Sequence, residues 1–509
     1  MTGVSRQINE NIAFFRKVYG DCADVKMQRM ELQGLMGKCT CFVAYIEVSL
    51  NNTMVRDTAL GQMFKQLGSW ADQSVTERNR MLDNNAMGIA DIGYYAFLED
   101  AAEAMLTGDA ILLVEGYEKA LKIADKGYPG MGVEEAESEK VVRGSNEGFS
   151  DSVKTNTALI RKRLRSTQLK NKEIKTGTRT RSLINIMYMD GIVRPDIVGK
   201  IEKKLEGFTI DGVLDSGVIE QLMEKKWYSP FPQYQTTQRP DRAVMSLLEG
   251  RVVILCDNSP VALICPADFN SFLRTADDYY NRMETVTFAR MLRYIAVFFS
   301  MTLPGLYLAV TNYHTQILPT TLLLSFQEAR IGVPFPAALE VLLMEISFEL
   351  LREAGVRLPG AMGNTIGIVG GLIIGQAAVD ANIVSPMVVI LVAFTALCSF
   401  AIPNEEFAFS FRILKFFFIL MAAWMGFYGF LIGLIVVLIH LTRLESFGMA
   451  YLMPFVGAEL NHYRDLRDAM VRFPIRKLKW RTFNARRDQR RKLRFSGEEE
   501  EKSEPNRRQ

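Results

Sequence analysis

Apolar and polar positions divide the chain into two unlike stretches. Residues 1–290 alternate short apolar runs with charged segments, whereas residues 291–456 are dominated by long apolar runs. The pattern predicts an α/β region of two related subdomains, followed by an α-helical transmembrane domain of four to five spans. The polar N-terminus lacks the apolar core of a secretory signal, so we expect the first stretch to be cytosolic.

Strand-like runs recur at one spacing in the first stretch. Cys41–Val48 and Leu183–Met189 each precede a helix-like segment, and Ala110–Val114 and Val252–Cys256 each follow a helix that stops at glycine. The first pair and the second pair have the same offset. Two matches at one offset predict duplicated α/β units, although coincidence between common strand–helix patterns is the alternative.

These patterns predict six segments. They are an N-terminal α/β subdomain at 1–140, a linker and connecting helix at 141–166, a second α/β subdomain at 167–290, the transmembrane domain at 291–456, a basic cytosolic segment at 457–495 and a disordered tail at 496–509. The connecting helix has a basic end, Arg161–Arg165, and a solvated face is its expected role, with lipid phosphate or nucleic acid as the weaker alternative.

Five apolar runs are candidate spans: Tyr294–Val310, Pro334–Leu351, Gly360–Val379, Ile383–Ile402 and Phe416–Ile439. Basic residues before the first run and within Arg472–Arg494 favour the cytosol at both ends of the domain. Five crossings would place the two ends of the domain on opposite sides of the membrane. We therefore expect four full crossings plus one amphipathic or lumen-facing helix at Pro334–Leu351, since its carboxylates are costly in lipid. A re-entrant segment at Pro319–Phe326 is the other arrangement that would place both ends of the domain in the cytosol.

One helix in this domain carries a stripe of charge. Glu345, Glu349, Arg352 and Glu353 fall within about 100° of arc on the predicted helix Pro334–Gly355. Carboxylates at membrane depth usually face water or protein, and rings of them select cations in oligomeric channels. The stripe predicts an ion path, and the alternative is an interfacial helix in which Arg352 pairs with Glu349.

Two further patterns concern packing and lipid. Glycines recur at every fourth position, at Gly363, Gly367, Gly371 and Gly375. Such a stripe predicts close helix packing within or between subunits. After the apolar runs, basic residues predict contact with the anionic membrane surface, namely Arg476, Lys477, Lys479, Arg481, Arg486 and Arg487.

Composition narrows the class of function. The 60 Lys plus Arg and 57 Asp plus Glu give a net charge of +3, which argues against a generally basic nucleic-acid binder. Six cysteines in so long a chain do not make a disulfide scaffold, and three histidines argue against a histidine-built metal site. No phosphate-binding, nucleophile or zinc-protease motif occurs. We expect no enzyme activity, no cofactor and no nucleic-acid partner.

The stretch Leu342–Ala378 (LLMEISFELLREAGVRLPGAMGNTIGIVGGLIIGQAA) resembles the A-subunit of the GerA-type spore germinant receptors. The resemblance extends, in the same order, to Arg143–Arg163, Ile210–Glu224, Ser229–Arg251 and Arg443–Pro454. It covers most of the chain from Arg143 onward. Residues 1–140 match less closely, which leaves open the paralogue group, including the SpoVA-cluster homologue.

The resemblance implies an A-subunit of a receptor in the spore inner membrane. In that family the A-subunit looks like an oligomeric cation channel, for which a pentamer is the expected form, and it works with a permease-like B-subunit and a lipoprotein C-subunit. Matching motif positions are Glu345, Glu349, Arg352, Arg357, Pro359, Gly363, Gly367, Gly371 and Pro403. The expected function is release of monovalent cations at the start of germination. A non-conducting scaffold or receptor subunit and a secondary transporter are the alternatives.

Overall fold

The computed structural model describes residues 2–34, 37–49, 66–86, 92–124, 135–136, 139, 141, 143–356, 373–457 and 463–493. Contacts divide the chain into two units. The first comprises Met1–Lys225, Tyr234–Pro266 and Ile475–Gln509, and the second comprises Lys226–Gln233 and Ala267–Pro474. Each unit has its own hydrophobic core, and each is described by itself.

Two five-stranded antiparallel sheets form the centre of the first unit. The strands are Val25–Gln33 (β1), Lys38–Ile46 (β2), Ile92–Tyr95 (β3), Asp109–Val114 (β4), Ala120–Ala124 (β5), Leu169–Thr176 (β6), Ser182–Met189 (β7), Gln235–Thr237 (β8), Val252–Cys256 (β9) and Ala262–Cys265 (β10). The first sheet has the order β1-β2-β4-β5-β3, and the second has the matching order β6-β7-β9-β10-β8. The prediction of two related subdomains is confirmed.

Seven helices whose full bounds lie within the described residues accompany the sheets in the first unit. They are Ile8–Tyr19 (α1), Val75–Asp83 (α2), Leu98–Leu106 (α3), Val153–Arg163 (α4), Pro195–Glu206 (α5), Ser216–Met223 (α6) and Pro240–Leu248 (α7). Helices α3 and α7 end near Gly108 and Gly250, whose φ angles of 94° and 86° favour glycine. Strands β4 and β9 follow and are buried at every position, which explains their unbroken apolar runs.

A buried ion pair joins the two subdomains. The guanidinium of Arg161 on α4 donates to both carboxylate oxygens of Asp24, and Arg161 is only 1% exposed. Burial alone would favour the neutral form, but the adjacent Asp24 carboxylate prevails and raises the pKa of Arg161. Lys162 and Arg163 contact Glu147. The expectation of a solvated basic face is therefore wrong for Arg161, because its partner lies in a distant part of the chain.

Arg161→Met should destabilise the protein by about 3–5 kcal/mol, since it leaves the Asp24 carboxylate buried and unpaired. Lys154→Met, on the same helix, removes an exposed pair with Glu47 and should cost only about 0–1 kcal/mol. Thermal unfolding of both variants and the wild type measures the difference. Equal midpoints for the two variants would contradict the importance of the buried pair.

Six helices form most of the described part of the second unit. They are Phe269–Leu273 (α8), Met283–Tyr313 (α9), Thr320–Glu328 (α10), Ala337–Val356 (α11), Pro386–Phe400 (α12) and Glu405–Arg443 (α13). Among the described residues, α9 and α13 are long and apolar enough to cross a membrane. The predicted count of four to five spans is not established by these two helices, and the run Gly360–Val379 lies largely outside the described residues.

Helix α13 reverses direction at Gly426. This residue has φ 59° and ψ −135°, a conformation open mainly to glycine, and a Cβ there would lie 2.7 Å from the Tyr313 ring. The rings of Phe418 and Phe430 are 5.6 Å apart, whereas a straight helix would separate them by about 18 Å along its axis. The candidate span Phe416–Ile439 therefore contains a reversal, which an apolar run does not reveal.

A cysteine pair at Phe418 and Phe430 should cross-link efficiently in a variant whose six native cysteines are replaced. The matched control is a pair at Phe418 and Trp424, which are closer in sequence but lie on the same arm, with Trp424 76% exposed. A short thiol-reactive cross-linker and peptide mapping provide the measurement. Cross-linking of the control pair but not of Phe418 and Phe430 would contradict the reversal.

Candidate ion site in the helical unit

Helices α11 and α13 bring three charged side chains together. Glu345 and Glu349 are one helical turn apart on α11, so their side chains share one face. The Lys415 ammonium of α13 lies 2.5 Å from Glu345 Oε2 and 3.2 Å from Glu349 Oε1. Glu345 and Lys415 are 1% and 3% exposed. The ammonium therefore occupies a position between two carboxylates in the interior of the second unit.

Other charged groups surround this pair. Arg412 Nη1 lies 3.5 Å from Glu349 Oε2, at the less buried side of the site. Arg352 donates to Ser399 Oγ at 3.4 Å, and its guanidinium lies 4.4 Å from the centre of the Phe400 ring. Glu353, the fourth residue of the predicted stripe, follows directly on the same helix. The structure thus brings Glu345 and Glu349 to a common cation, while Arg352 is held against α12.

Sequence reasoning missed Lys415 and Arg412. The fifth apolar run begins at Phe416, so both basic residues lie outside the predicted span. A usable signal was present, because Arg412 and Lys415 are three residues apart on a predicted helix, and Glu345 and Glu349 are four apart on another. Complementary charges at helical spacing on two apolar helices predict that those helices pack against each other.

The glycine stripe is only partly within the described residues. Gly363, Gly367 and Gly371 lie outside them. At Gly375 a Cβ would have one described neighbour within 4 Å, Val389 Cγ1 at 3.4 Å, which is ordinary contact. The close-packing role of this stripe remains a prediction.

The part of the basic segment from Ile475 onward belongs to the first unit. Arg481 Nε donates to Leu248 O at 2.8 Å, and Arg486 Nε donates to Val193 O at 2.9 Å. These two guanidiniums fasten the segment to the second subdomain. Arg476, Lys477 and Arg487 are exposed, and Lys479 is half-buried. The proposed membrane-surface contact therefore rests on the three exposed side chains rather than on all six residues.

A second ionic network, the Arg290 cluster, consists of Arg274, Arg290, Arg293, Asp278 and Asp468. Arg290 is 1% exposed and bonds to Asp278 and Asp468 at 2.9 and 2.8 Å. Arg293 bonds to Asp278 at 3.0 Å, and Arg274 pairs with Asp468 at 3.8 Å. Arg290 and Arg293 are among the basic residues that precede the first candidate span, and their ion pairs also fix the start of α9.

With this geometry established, comparison with known protein families identifies the class. The family model described as "Bacillus/Clostridium GerA spore germination protein" matches residues 13–483. The chain belongs to this family. The resemblance noted in the sequence to the A-subunits of GerA-type spore germinant receptors is confirmed.

Individual relatives match over most of the chain. The "Uncharacterized membrane protein YfkQ" of Bacillus subtilis (strain 168) is 38% identical over 472 residues, 92% of this chain and 90% of the relative. "Spore germination protein KA" of the same organism is 35% identical over 473 residues, 92% of this chain and 85% of the relative. A crystal structure of the N-terminal domain of the A subunit of the Bacillus megaterium spore germinant receptor GerK3 is 25% identical, with a TM-score of 0.41, over 53% of this chain and 98% of that domain.

Asp468→Asn should destabilise the protein at neutral pH by about 3–5 kcal/mol, because it removes a charged partner of buried Arg290. Burial opposes ionisation of Asp468, but Arg274 and Arg290 prevail and hold the pKa of this carboxyl below its usual value. A lowered pKa gives stability that is complete above the unfolded-state pKa and is lost as the pH falls through the folded-state pKa. The gap between wild type and variant in thermal unfolding should therefore close below about pH 4. A gap independent of pH would contradict this role.

Proposed function

We propose that this chain is the A-subunit of a nutrient-gated spore germination receptor and that it forms an oligomeric membrane channel that releases monovalent cations at the start of germination. The family membership supports the receptor role. The observation that carries the channel proposal is the pair of carboxylates, Glu345 and Glu349, gathered around one monovalent ammonium within an apolar helical unit. Carboxylates arranged in this way favour cations over anions.

The surface of the second unit supports placing it in a membrane. Large apolar side chains are exposed along α9, α12 and both arms of α13, including Phe288, Leu397, Leu420 and Ile435 at 65%, 66%, 58% and 56%. Apolar exposure of this extent requires lipid or another protein surface as its covering. Membrane insertion of this unit, with further crossings from α11 and α12, is the simplest arrangement that satisfies it.

Aromatic side chains lie at both ends of the return arm of α13. Trp424 and Tyr428 flank Gly426 at one end and are 76% and 71% exposed, whereas Trp227 and Tyr228 lie near His440 at the other. The arm from residue 427 to 443 is about 25 Å long. Trp and Tyr favour the two membrane–water interfaces, and their separation here suits a hydrocarbon core.

The reversal at Gly426 offers a further solution to the parity problem. Two antiparallel arms return the chain to the side of the membrane on which α13 began. The helix Pro334–Leu351 can then cross the membrane as well, and it need not be an amphipathic segment. Both the soluble unit and the basic C-terminal segment then lie in the cytosol, which in a spore is the core. The exposed Arg476, Lys477 and Arg487 are placed where anionic lipid would attract them.

Partners follow from the family and from the glycines. We expect a permease-like B-subunit and a lipoprotein C-subunit to complete the receptor, in the spore inner membrane. Gly363, Gly367, Gly371 and Gly375 are the proposed contact between helices in a homo-oligomer, for which we expect a pentamer. An oligomer would multiply the carboxylate pairs around one axis, as a selectivity ring requires.

A non-conducting scaffold is the second candidate, and a specific observation favours it. Lys415 and Arg412 already neutralise Glu345 and Glu349 within a single chain. Buried ion pairs of this kind can hold helices in place without contributing to any ion path. The two candidates differ in whether the carboxylates affect the passage of ions.

Purified chain reconstituted in liposomes should release K⁺, and Glu349→Gln should reduce the efflux by about tenfold if it raises the barrier by ~1.4 kcal/mol. Glu349 is the more accessible carboxylate of the pair, with its side chain 25% exposed. Glu328→Gln, an exposed carboxylate on α10, is the matched control and should leave the efflux unchanged. Ion-selective electrode traces provide the measurement.

Unchanged efflux from inserted, oligomeric Glu349→Gln protein would exclude this residue from the ion path. The wild type is measured alone and with a co-reconstituted permease-like subunit, because the channel can require that partner to open. Flux in neither condition would favour the scaffold.

A further inference from the structure

The ammonium between Glu345 and Glu349 has the chemistry of a bound monovalent cation. Its charge is +1, and it binds two carboxylate oxygens at 2.5 and 3.2 Å. Both carboxylates come from α11, so the two oxygens form a preorganised pair that does not depend on the conformation of α13. Any small monovalent cation that replaced the ammonium would find the same two ligands.

Glu345 has coordinating capacity that Lys415 does not use. Its Oε2 accepts from Lys415, whereas its Oε1 is buried and has no hydrogen-bond partner among the described residues. A buried, unpaired carboxylate oxygen is costly, and such atoms in native proteins usually mark an ion, a water or a functional role. Glu345 Oε1 is therefore available to a bound cation as a third ligand, in addition to the two oxygens that the ammonium contacts.

The net charge of the site determines the valence of the cation that would bind there. Glu345 and Glu349 carry two negative charges, which Lys415 and Arg412 balance. Arg352 is balanced by Glu405 at the start of α13, whose negative charge acts on it. Withdrawal of the Lys415 ammonium would therefore leave one net negative charge, and one monovalent cation restores neutrality. A divalent ion would over-compensate the site, and it prefers more oxygen ligands than these carboxylates offer.

We propose that Glu345 and Glu349 form a binding site for one monovalent cation, and that the Lys415 ammonium is a tethered cation occupying that site in the described conformation. The inference rests on the proposed cation-channel function and gives it a specific residue. Lysine is suited to this role because its ammonium is a compact charge on a flexible four-carbon stem. The stem can withdraw the charge while α11 and α13 stay packed. A permeating ion must then compete with Lys415 for the carboxylates.

Lys415→Gln tests the site directly, with K⁺ as the probe. The variant removes the tethered charge while keeping a polar side chain of similar length. Thermal unfolding of the full chain in detergent is compared in KCl and in choline chloride at equal ionic strength. We expect the midpoint of Lys415→Gln to be about 2–4 °C higher in KCl, with saturation as K⁺ increases. The wild type, whose site is filled, should show no such difference.

Arg330→Gln is the matched control. Arg330 bonds at 3.0 Å to Glu340, which is fully buried in the same unit. The Glu340 carboxylate is a single one, and its second oxygen accepts from the Ser385 amide. Arg330→Gln should therefore destabilise the protein without a specific response to K⁺. The proposed site would be refuted if Lys415→Gln had the same unfolding midpoint in the two salts. It would also be refuted if K⁺ stabilised Arg330→Gln to the same extent.

The double variant Glu345→Gln with Lys415→Gln keeps the test informative if Lys415→Gln folds poorly. With both buried charges removed, it should fold in either salt and lose the K⁺ response. Lys415→Gln that is monodisperse in KCl but aggregates in choline supports the site. Aggregation in both salts, with a well-folded double variant, overturns it.

K⁺ efflux separates this inference from the proposed function. Wild-type flux together with a K⁺-insensitive Lys415→Gln variant would refute the site and leave the channel intact. A K⁺-stabilised Lys415→Gln variant, in a chain that conducts under no condition, would establish the site and refute the channel. If both are correct, Lys415→Gln should also raise unstimulated efflux by about threefold or more, since a competing cation is removed.

Discussion

Charge buried among apolar helices is the constraint on which the second unit depends. Removing a carboxylate and an ammonium from water costs several kcal/mol each, and only close pairing offsets that cost. Glu345 on α11 and Lys415 on α13 must therefore keep their relative positions. A shift of either helix would separate the two charges and leave the cost of removing them from water without compensation. The same requirement applies at the start of α9, where Arg290 is held by Asp278 and Asp468. These ionic contacts define positions that apolar packing alone would leave less specific.

The reversal at Gly426 makes this arrangement possible. It returns α13 along itself, so that Phe430 packs against Phe418 and the end of the return arm reaches the segment around Ser229, whose hydroxyl lies 2.8 Å from His440 Nε2. The first arm is then held on several sides, and Lys415 points into the unit, where it is buried. A buried charge, a glycine turn and apolar outer faces together suit a unit that is embedded in a membrane but has a polar interior.

Local patterns in the sequence predict the helices and strands, but they do not reveal contacts between residues that are far apart in the chain. The repeated strand–helix–glycine pattern was enough to predict two related subdomains, because burial and turn chemistry are local properties. The carboxylate stripe on α11 was visible because helical periodicity places Glu345 beside Glu349. Asp24 as the partner of Arg161, and Lys415 as the partner of Glu345, are contacts between residues far apart in the chain. Hydropathy could not reveal the turn at Gly426, since the residues on both sides of it are equally apolar.

The most direct test of the central claim is the reversal potential of the reconstituted chain in a planar bilayer, with its permease-like partner added if the chain alone stays closed. Under a tenfold KCl gradient, a cation-selective channel should reverse within a few millivolts of the K⁺ equilibrium potential, about 59 mV in magnitude. A reversal potential near zero, or one of the sign set by chloride, would contradict a cation path lined by carboxylates.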